Sequence, residues 1–394
     1  MDSGNKLFLL DAYALIYRAY YAFIKNPRIN SKGFNTSAIL GFVNTLEEVL
    51  KKENPTHIGV AFDPAGPTFR HEAFEQYKAQ REETPEAIRL SVPIIKDIIR
   101  AYRIPILEVA GYEADDVIGT LATEAGRQGI TTYMMTPDKD YGQLVSDKVF
   151  MYRPKHTGGF EVMGVEEVKA KFDIQSPAQV IDMLGLMGDS SDNIPGCPGV
   201  GEKTAQKLIS EFGSIENLLE HTDQLKGALK TKVETNREMI TFSKFLATIK
   251  IDVPIQLEMD ALVREEADEN SLRSIFEELE FRTLIDRVLK KDISGNGITS
   301  ATGNKVATGK SAPSPLPLFP EEEGGMQGDL FANFTPDEPG EAKKSNLETL
   351  ESLTYNYQLI DTEEKRRKII QKLLTSKILS LDTETTGTEP MDAE

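Results

Sequence analysis

The sequence lacks tryptophan, and it contains a single cysteine, Cys197, among 394 residues. One cysteine cannot form an internal disulfide, so we expect a fold held by its core in a reducing compartment. Long apolar runs are also missing. No stretch approaches the roughly 18 apolar residues of a membrane-spanning helix, and the start of the chain has only the short run LFLL before Asp11. These absences predict a soluble cytoplasmic protein without a membrane partner.

Positive charge is scarce as well. The 45 lysines and arginines are outnumbered by 63 aspartates and glutamates, which gives a net charge of −18. Proteins that bind nucleic acid usually present a basic surface. The net charge does not exclude nucleic acid as a partner, however, because binding depends on where the charges lie. Acids that hold divalent metals also do not repel phosphate as free acids do. The motifs must therefore decide the class of partner.

The pattern along the chain predicts four segments. Residues 1–170 alternate short apolar runs with amphipathic stretches, which predicts a doubly wound α/β domain with a mostly parallel sheet. This domain includes a long helical region from about residue 70 to 102. Residues 171–292 have a helical pattern throughout, with Gly213 as a candidate C-cap. Residues 293–346 are rich in Gly, Ser, Thr, Pro and Glu, which predicts a linker, and residues 347–394 predict a strand, a helix and a strand that begin a third domain.

Acidic residues follow the strands of the predicted sheet. Asp11 and Asp63 end apolar runs, and Asp138 and Asp140 come shortly after a third run. Because the carboxyl ends of parallel strands line one edge, we expect these acids to lie together. The stretch MGDSSDN adds Asp189 and Asp192, whose spacing of three predicts one shared helix face.

The stretch GYEADDVIGTLA places three more carboxylates at the start of a helix. Acids so close raise one another's pKa unless a cation lies between them. A lone aspartate is usually a turn or cap residue, but together these acids predict a cation site. The nine candidate metal ligands are Asp11, Asp63, Glu113, Asp115, Asp116, Asp138, Asp140, Asp189 and Asp192. Oxygen ligands without histidine or cysteine suit two Mg²⁺ or Mn²⁺ ions rather than zinc, and such a pair suits phosphodiester hydrolysis.

The stretch FRHEAFEQYKAQR combines cations with aromatic residues. Its spacing places Arg70, Phe74, Tyr77 and Arg81 on one helical stripe with Lys78 beside it. Such a stripe suits a phosphate backbone and an unstacked base. A partly buried amphipathic helix with its cations in water is the alternative.

A glycine-rich loop, GCPGVGEKTA, resembles a nucleotide-binding loop in its glycine spacing. Glu202 stands where such a loop requires lysine, and no strand precedes it, so we reject that function. A Gly-Val-Gly hairpin between two helices instead exposes backbone N–H groups to a DNA phosphate. A purely structural turn is the alternative.

Four strings, FDPAGPTFRHEAFEQYKAQR, GYEADDVIGTLA, TPDKDYGQLV and GLMGDSSDNIPGCPGVGEKTAQKLI, closely resemble the 5′ nuclease domain of bacterial family A DNA polymerases. The similarity covers about residues 5–290. The nuclease domain that these strings resemble is a member of the flap endonuclease family. The resemblance implies a PIN-like nuclease fold, followed by a helix-hairpin-helix subdomain. It also implies a monomeric 5′→3′ exonuclease and flap endonuclease at the bacterial nucleoid. Its substrates would be 5′ flaps, nicked or gapped duplexes and RNA primers, in replication and repair.

The resemblance also implies residue roles. Asp11, Asp63, Glu113 and Asp115 match ligands of the first metal, and the other five acids match those around the second. Lys78 and Arg81 match residues that contact the scissile phosphate. The DNA-contact candidates are Arg18, Arg70, Tyr77, Gly199, Gly201, Lys203 and Thr204, with K⁺ as a candidate ion at the hairpin. Pro64 replaces a commoner alanine but touches no ligand.

Two short motifs lie further along the chain. QGDLF, with Gln327, Leu330 and Phe331, resembles peptides that bind the bacterial sliding clamp, although five residues match easily by chance. ILSLDTET places Asp382 and Glu384 on one strand face and resembles the first motif of a 3′→5′ exonuclease. The remaining acids of that site lie beyond this sequence. We therefore expect this chain alone neither to proofread nor to polymerise.

Two other functions are alternatives to the nuclease. A phosphatase of the haloacid dehalogenase type requires a second aspartate two residues after Asp11, and that position is Tyr13. A non-catalytic DNA-binding scaffold would tolerate the loss of metal ligands, whereas every candidate ligand is present.

Overall fold

The apolar runs form a six-stranded sheet in the computed structural model, which describes residues 4–155, 159–289 and 362–374. The strand order is β3-β2-β1-β4-β5-β6, and neighbours are parallel except for β5 and β6. The strands are β1 (Lys6–Asp11), β2 (His57–Ala61), β3 (Ile106–Leu107), β4 (Thr131–Met135), β5 (Val149–Pro154) and β6 (Phe160–Met163). The predicted mostly parallel α/β sheet is thus confirmed.

Helices surround the sheet and continue after it. Those of the first part are α1 (Ala12–Ala22), α2 (Ser37–Lys52), α3 (Phe69–Ala73), α4 (Glu86–Ala101), α5 (Ala114–Arg127) and α6 (Val165–Phe172). Those of the helical part are α7 (Gln179–Met187), α8 (Glu202–Phe212), α9 (Ile215–Glu220), α10 (Gly227–Thr235), α11 (Arg237–Ala247), α12 (Glu269–Glu278) and α13 (Arg282–Leu289). Short 3-10 helices span Lys139–Leu144, Thr222–Gln224 and Met259–Leu262.

The central strand β1 is buried on both faces because its side chains alternate between two helical layers. Leu7 and Leu9 belong to the buried cluster that includes α5, α7 and α8, whereas Phe8 and Leu10 belong to the cluster of α1, α2 and α4. This double burial explains why β1 is apolar without interruption until Asp11. The acid at its end therefore emerges where the sheet stops.

The helical part begins as predicted, with one change of boundary. A division after residue 170 falls inside α6, so the elements separate after Phe172. Gly213 follows α8 with a φ of 79°, which confirms it as a C-cap. The residues described up to Leu289 belong to one unit, and a second unit contains α14 (Glu363–Leu374), a helix expected there.

The predicted long helix from residue 70 to 102 is wrong. Thr68 and His71 form a capping box for α3, but the backbone becomes extended at Phe74, and α4 begins only after Pro85. Residues 74–85 lie between the two helices, and Lys78 has a left-handed φ of 56°. Tertiary contacts of this segment, hereafter the cleft segment, override its helical spacing.

The prediction that Asp189 and Asp192 share one helix face is also wrong. The helix α7 ends at Met187, and Asp189 pairs with Ile194 across a turn that contains Asp192.

The predicted linker lies outside the described residues. So do the clamp motif with Gln327, Leu330 and Phe331, and Asp382 with Glu384. None of the helices within the described ranges has the length and apolar character needed to cross a bilayer.

Candidate active site

Eight of the nine predicted carboxylates line one cleft of about 620 Å³ at the carboxyl edge of the sheet. They are Asp11, Asp63, Glu113, Asp115, Asp138, Asp140, Asp189 and Asp192. Strand ends supply four of them, the start of α5 supplies two, and the turn after α7 supplies two. Among the described residues, ten acidic and only three basic side chains line this cleft. The cleft therefore carries a large excess of negative charge.

Asp11 is held at the end of β1 by three hydrogen bonds. Its Oδ1 accepts the backbone N–H of Ala14 at 3.1 Å, and its Oδ2 accepts the hydroxyls of Thr136 and Tyr141, each at 3.2 Å. Burial, and then the neighbouring Asp63, nevertheless raise the pKa of Asp11 to about 7. A carboxylate this destabilised in its ionised form suits a site where a cation binds.

Four further carboxylates share this condition. Burial raises the pKa of Asp115 and of Asp140 well above the ordinary value and also raises those of Asp63 and Asp138. Neighbouring acids add to the effect on Asp115 and Asp140. Within the described ranges, Asp140 Oδ1 is buried without a hydrogen-bond partner. A vacant buried acceptor among crowded acids fits a hard divalent cation.

Glu113 and Asp192 lie in a different electrostatic environment because the cleft segment reaches them. Lys78 Nζ lies 2.8 Å from Glu113 Oε1 and 3.7 Å from Asp192 Oδ2. Arg81 also donates to Asp192. Burial would raise the pKa of Glu113, but Lys78 and Arg70 lower it; burial would raise the pKa of Asp192, but Lys78 and Arg81 lower it.

The cleft segment is fixed to the acidic turn by backbone as well as side chains. The backbone N–H of Lys78 donates to the Asp192 carbonyl at 3.0 Å, and Arg81 Nε donates to the Ser191 carbonyl at 3.1 Å. The Tyr77 hydroxyl lies 3.0 Å from both Glu113 Oε2 and Asp192 Oδ2. Tyr77 is buried, so the expected exposed aromatic surface at this residue is wrong.

The donor set fits divalent cations in chemistry, but it is not a preformed cage. In the part of the chain that the structure describes, no three His, Cys, Asp or Glu side chains are arranged to hold an ion as they stand. Lys78 and Arg81 contact Glu113 and Asp192, and Lys139 lies 3.1 Å from Asp189, so cations of the chain occupy three of these carboxylates. Metal binding at these carboxylates stays a prediction.

Asp116 is the ninth predicted ligand, and it does not line the cleft. Its carboxylate is fully buried and forms a bidentate ion pair with Arg70, at 2.7 and 2.8 Å. Arg70 is only 1% exposed. The expectation that Asp116 is a ligand and that Arg70 faces DNA is therefore wrong for this structure. The cause is their mutual neutralisation in the interior.

The glycine hairpin lies directly after the acidic turn. Gly199 has a φ of 74° and its carbonyl accepts Lys232 Nζ at 3.3 Å, while Gly201 caps α8. Lys203 is exposed on the first turn of that helix, beside Thr204. DNA contact by these residues stays a prediction.

Two other glycines, which the sequence analysis missed, shape the acidic turn. Gly188 and Gly196 both have positive φ angles, of 74° and 62°. A Cβ on Gly196 would lie 2.3 Å from the backbone nitrogen of Gly188. Only glycine permits this approach, and the spacing of the two residues in the sequence gave no sign of it.

Side chains around Asp11 and along α1 were also missed. Tyr141 and Thr136 bind Asp11 and lie in TPDKDYGQLV, one of the four strings that carry the resemblance, but only the acids of that string were singled out. Tyr17, together with Tyr13 and Tyr21 one helical turn away on either side, lines the cleft. Their spacing of four was a usable signal.

Arg18, another predicted DNA contact, lies on the same helix but not in the cleft lining. Its Nη2 donates to the carbonyl of Lys155 at 3.3 Å, and burial lowers its pKa. Contact with phosphate would need this side chain to reorient.

Comparison with known families gives two adjoining matches. The model of the 5′–3′ exonuclease N-terminal resolvase-like domain matches residues 6–173. The model of the 5′–3′ exonuclease C-terminal SAM fold matches residues 175–270. Together they cover the sheet, the cleft and most of the helical part.

Curated relatives are named DNA polymerase I. The chain is 42% identical over 287 residues to that of Bacillus caldotenax, a match that covers 72% of this chain and 32% of the relative. It is 34% identical over 391 residues to that of Chloroflexus aurantiacus, covering 98% of this chain and 39% of the relative. The chain thus spans about a third of the length of the first relative and about two fifths of the second.

Solved structures share the fold. Phage T5 5′-exonuclease with bound zinc is 21% identical, with a TM-score of 0.52, and the match covers 70% of this chain and 99% of that chain. The catalytic core of Rad2 in complex with DNA is 18% identical, with a TM-score of 0.50, covering 73% and 93%. At these identities the likeness concerns the fold alone.

Proposed function

Because the chain belongs to the 5′–3′ exonuclease family, we propose that it is a divalent-metal-dependent 5′→3′ exonuclease and structure-specific flap endonuclease acting on DNA. One observation carries this proposal: eight carboxylates from separate elements line a single cleft, with a buried, unpartnered oxygen of Asp140 within the described residues. Metal-assisted phosphodiester hydrolysis uses such a concentration of negative oxygen ligands to hold its cations.

Two groups of carboxylates would hold two Mg²⁺ or Mn²⁺ ions. The first group is Asp11, Asp63, Glu113 and Asp115, and the second is Asp138, Asp140, Asp189 and Asp192. When bound, the ions would activate water and offset charge on the phosphate. The Thr136 and Tyr141 hydroxyls orient Asp11 from behind, as groups around metal ligands commonly do.

In this proposal Lys78 and Arg81 of the cleft segment bind protein carboxylates first and the DNA phosphate afterwards. Before DNA binds, Lys78 and Arg81 neutralise Glu113 and Asp192. If those carboxylates held divalent ions, both side chains would be available to a phosphate and would offset the negative charge that develops during hydrolysis. The hairpin with Gly199, Lys203 and Thr204 would hold the duplex through backbone N–H groups, with K⁺ as its candidate ion.

The relatives extend the proposal beyond this chain. We infer that the chain is part of a DNA polymerase I that removes primers and damaged strands at the bacterial nucleoid. The 3′→5′ exonuclease motif and the clamp motif remain proposals of the same kind. A monomeric state is a proposal that rests on the resemblance.

A flap-cleavage assay tests the function. A duplex with a labelled 5′ flap is incubated with Mg²⁺ or with EDTA, using wild type, Asp115→Asn and the control Asp97→Asn. Asp97 is 62% exposed on α4, outside the cleft. We expect Mg²⁺-dependent cleavage by wild type and the control, and at least a hundredfold less by Asp115→Asn, since lost charge stabilisation typically costs about 10²–10³ in rate.

Two results would contradict the proposal. DNA binding without cleavage by wild type would favour a scaffold. Full cleavage by Asp115→Asn would mean that the reaction does not use this cleft.

A further inference from the structure

Arg70 uses all of its hydrogen-bonding capacity inside the protein. A guanidinium has five N–H donors. Nε donates to the Leu246 carbonyl at 2.9 Å. Nη1 donates to Asp116 Oδ2 at 2.7 Å and to Glu113 Oε2 at 3.3 Å. Nη2 donates to Asp116 Oδ1 and to the Thr248 carbonyl, each at 2.8 Å. With 1% exposure, this side chain has no donor left for a phosphate.

Asp116 is saturated in the same way. An ionised carboxylate offers about four acceptor positions. Oδ1 accepts from Arg70 and from the backbone N–H of Lys250 at 2.8 Å, and Oδ2 accepts from Arg70 and from the backbone N–H of Glu113 at 3.1 Å. A metal ion would find no free lone pair on this residue.

Glu113 is the residue that both members of the pair reach. Asp116 binds its backbone N–H, and Arg70 approaches its Oε2 from the interior. Its other oxygen, Oε1, faces Lys78 in the cleft. The pair therefore fixes the position of one candidate ligand and orients the oxygen that a cation would meet.

We propose that Arg70 and Asp116 are positioning residues that hold Glu113 for divalent-metal binding, and that neither contacts metal or DNA. The inference rests on the proposed function, since it assumes that Glu113 is a ligand. The pair also connects two parts of the chain, because Arg70 and Asp116 bind backbone groups of residues 246–250, which include the end of α11 and the loop after it. Partners of this kind typically contribute about 10–100-fold to metal affinity.

Mn²⁺ binding to the DNA-free protein, measured by electron paramagnetic resonance of free Mn²⁺, tests the pair. Arg70→Lys keeps the charge but not the planar fork, and Asp116→Asn keeps the shape but not the charge. Thermal unfolding identifies which variants are folded. We expect each to bind Mn²⁺ about 10–100-fold more weakly than wild type. Arg100→Lys, at an exposed ion pair with Asp97, serves as the control and should bind normally.

A double-mutant cycle shows whether the pair acts through Glu113. In a Glu113→Gln background, Arg70→Lys and Asp116→Asn should cause little further loss of Mn²⁺ affinity. Normal Mn²⁺ affinity in a folded Arg70→Lys or Asp116→Asn protein would overturn the inference. An undiminished loss in the Glu113→Gln background would overturn it as well. Absence of Mn²⁺ binding by wild type would instead refute the proposed function itself.

The salt dependence of flap-DNA binding gives a second readout. Loss of one phosphate contact lowers the slope of log affinity against log salt concentration by about 0.9. We expect Arg70→Ala, where it is folded, and wild type to have the same slope, and a slope lowered by that amount in Arg70→Ala would show that Arg70 contacts DNA.

Discussion

Replacing Asp11 with asparagine should stabilise the metal-free protein at neutral and alkaline pH. The Asp11 side chain is 9% exposed, and burial with the nearby Asp63 raises its pKa from 3.8 to about 7. Above pH 7 the folded protein thus carries a charge that its surroundings disfavour, whereas asparagine carries none. A raised carboxylate pKa stabilises the folded state below the unfolded pKa of 3.8, and this stabilisation is lost as pH rises through about 7.

The size of the effect follows from the pKa difference. Roughly three pKa units at about 1.4 kcal/mol each give an upper value near 4 kcal/mol at pH 8. Near pH 5 most of the folded Asp11 is protonated, so the gain from asparagine falls below about 2 kcal/mol. For a domain of this size, 4 kcal/mol corresponds to a melting temperature higher by roughly 8–16 °C.

Urea unfolding in EDTA, at pH values of about 5 and about 8, measures this difference. Asp97→Asn serves as the matched control, because Asp97 is 62% exposed and belongs to an i,i+3 surface pair. Saturating Mg²⁺ should stabilise wild type and favour it over Asp11→Asn, since binding to the folded state adds to stability. Lower stability of Asp11→Asn at both pH values in EDTA, or a gain that does not change with pH, would refute the electrostatic argument.

Two further changes test other contacts. Lys78→Met removes the ammonium from Glu113, so Mn²⁺ affinity of the DNA-free protein should rise while flap cleavage falls. The two side chains are only 18% and 6% exposed, so we expect a rise of at least about fivefold, which corresponds to the roughly 1 kcal/mol of a strong exposed pair; weaker Mn²⁺ binding in a titration would contradict it. Gly196→Ala would place a Cβ 2.3 Å from the Gly188 backbone at a φ of 62° and should lower the free energy of unfolding by more than about 2 kcal/mol. Gly201→Ala, whose Cβ meets open space at the N-cap of α8, should lower it by about 1 kcal/mol at most, and equal urea midpoints for both variants would exclude the close approach.

The sheet and its acidic edge could be predicted from the sequence because both depend on local order. Apolar runs buried on two faces form parallel strands, and parallel strands end at one edge, so Asp11, Asp63 and Asp138 were placed correctly. This reasoning needs no knowledge of distant contacts.

The errors concern residues whose environment depends on distant partners. Asp115 and Asp116 are adjacent, yet successive helical residues point about 100° apart, so one faces the cleft and the other faces the interior. The partner of Asp116 is Arg70, 46 positions away. Periodicity could not show that this arginine is buried, nor that the backbone would leave the helix at Phe74.

The attachment of the cleft segment to the acidic turn makes two binding events depend on each other. Lys78 and Arg81 cannot neutralise protein carboxylates and grip a nucleic-acid phosphate at the same time. A divalent ion that displaces them would raise the affinity of the protein for DNA. Thermodynamic reciprocity then requires bound DNA to raise the affinity for the ion by the same factor. Such cooperativity would leave the DNA-free nuclease with weakly bound metal ions. The ions would bind fully only where a DNA strand lies in the cleft to be cut.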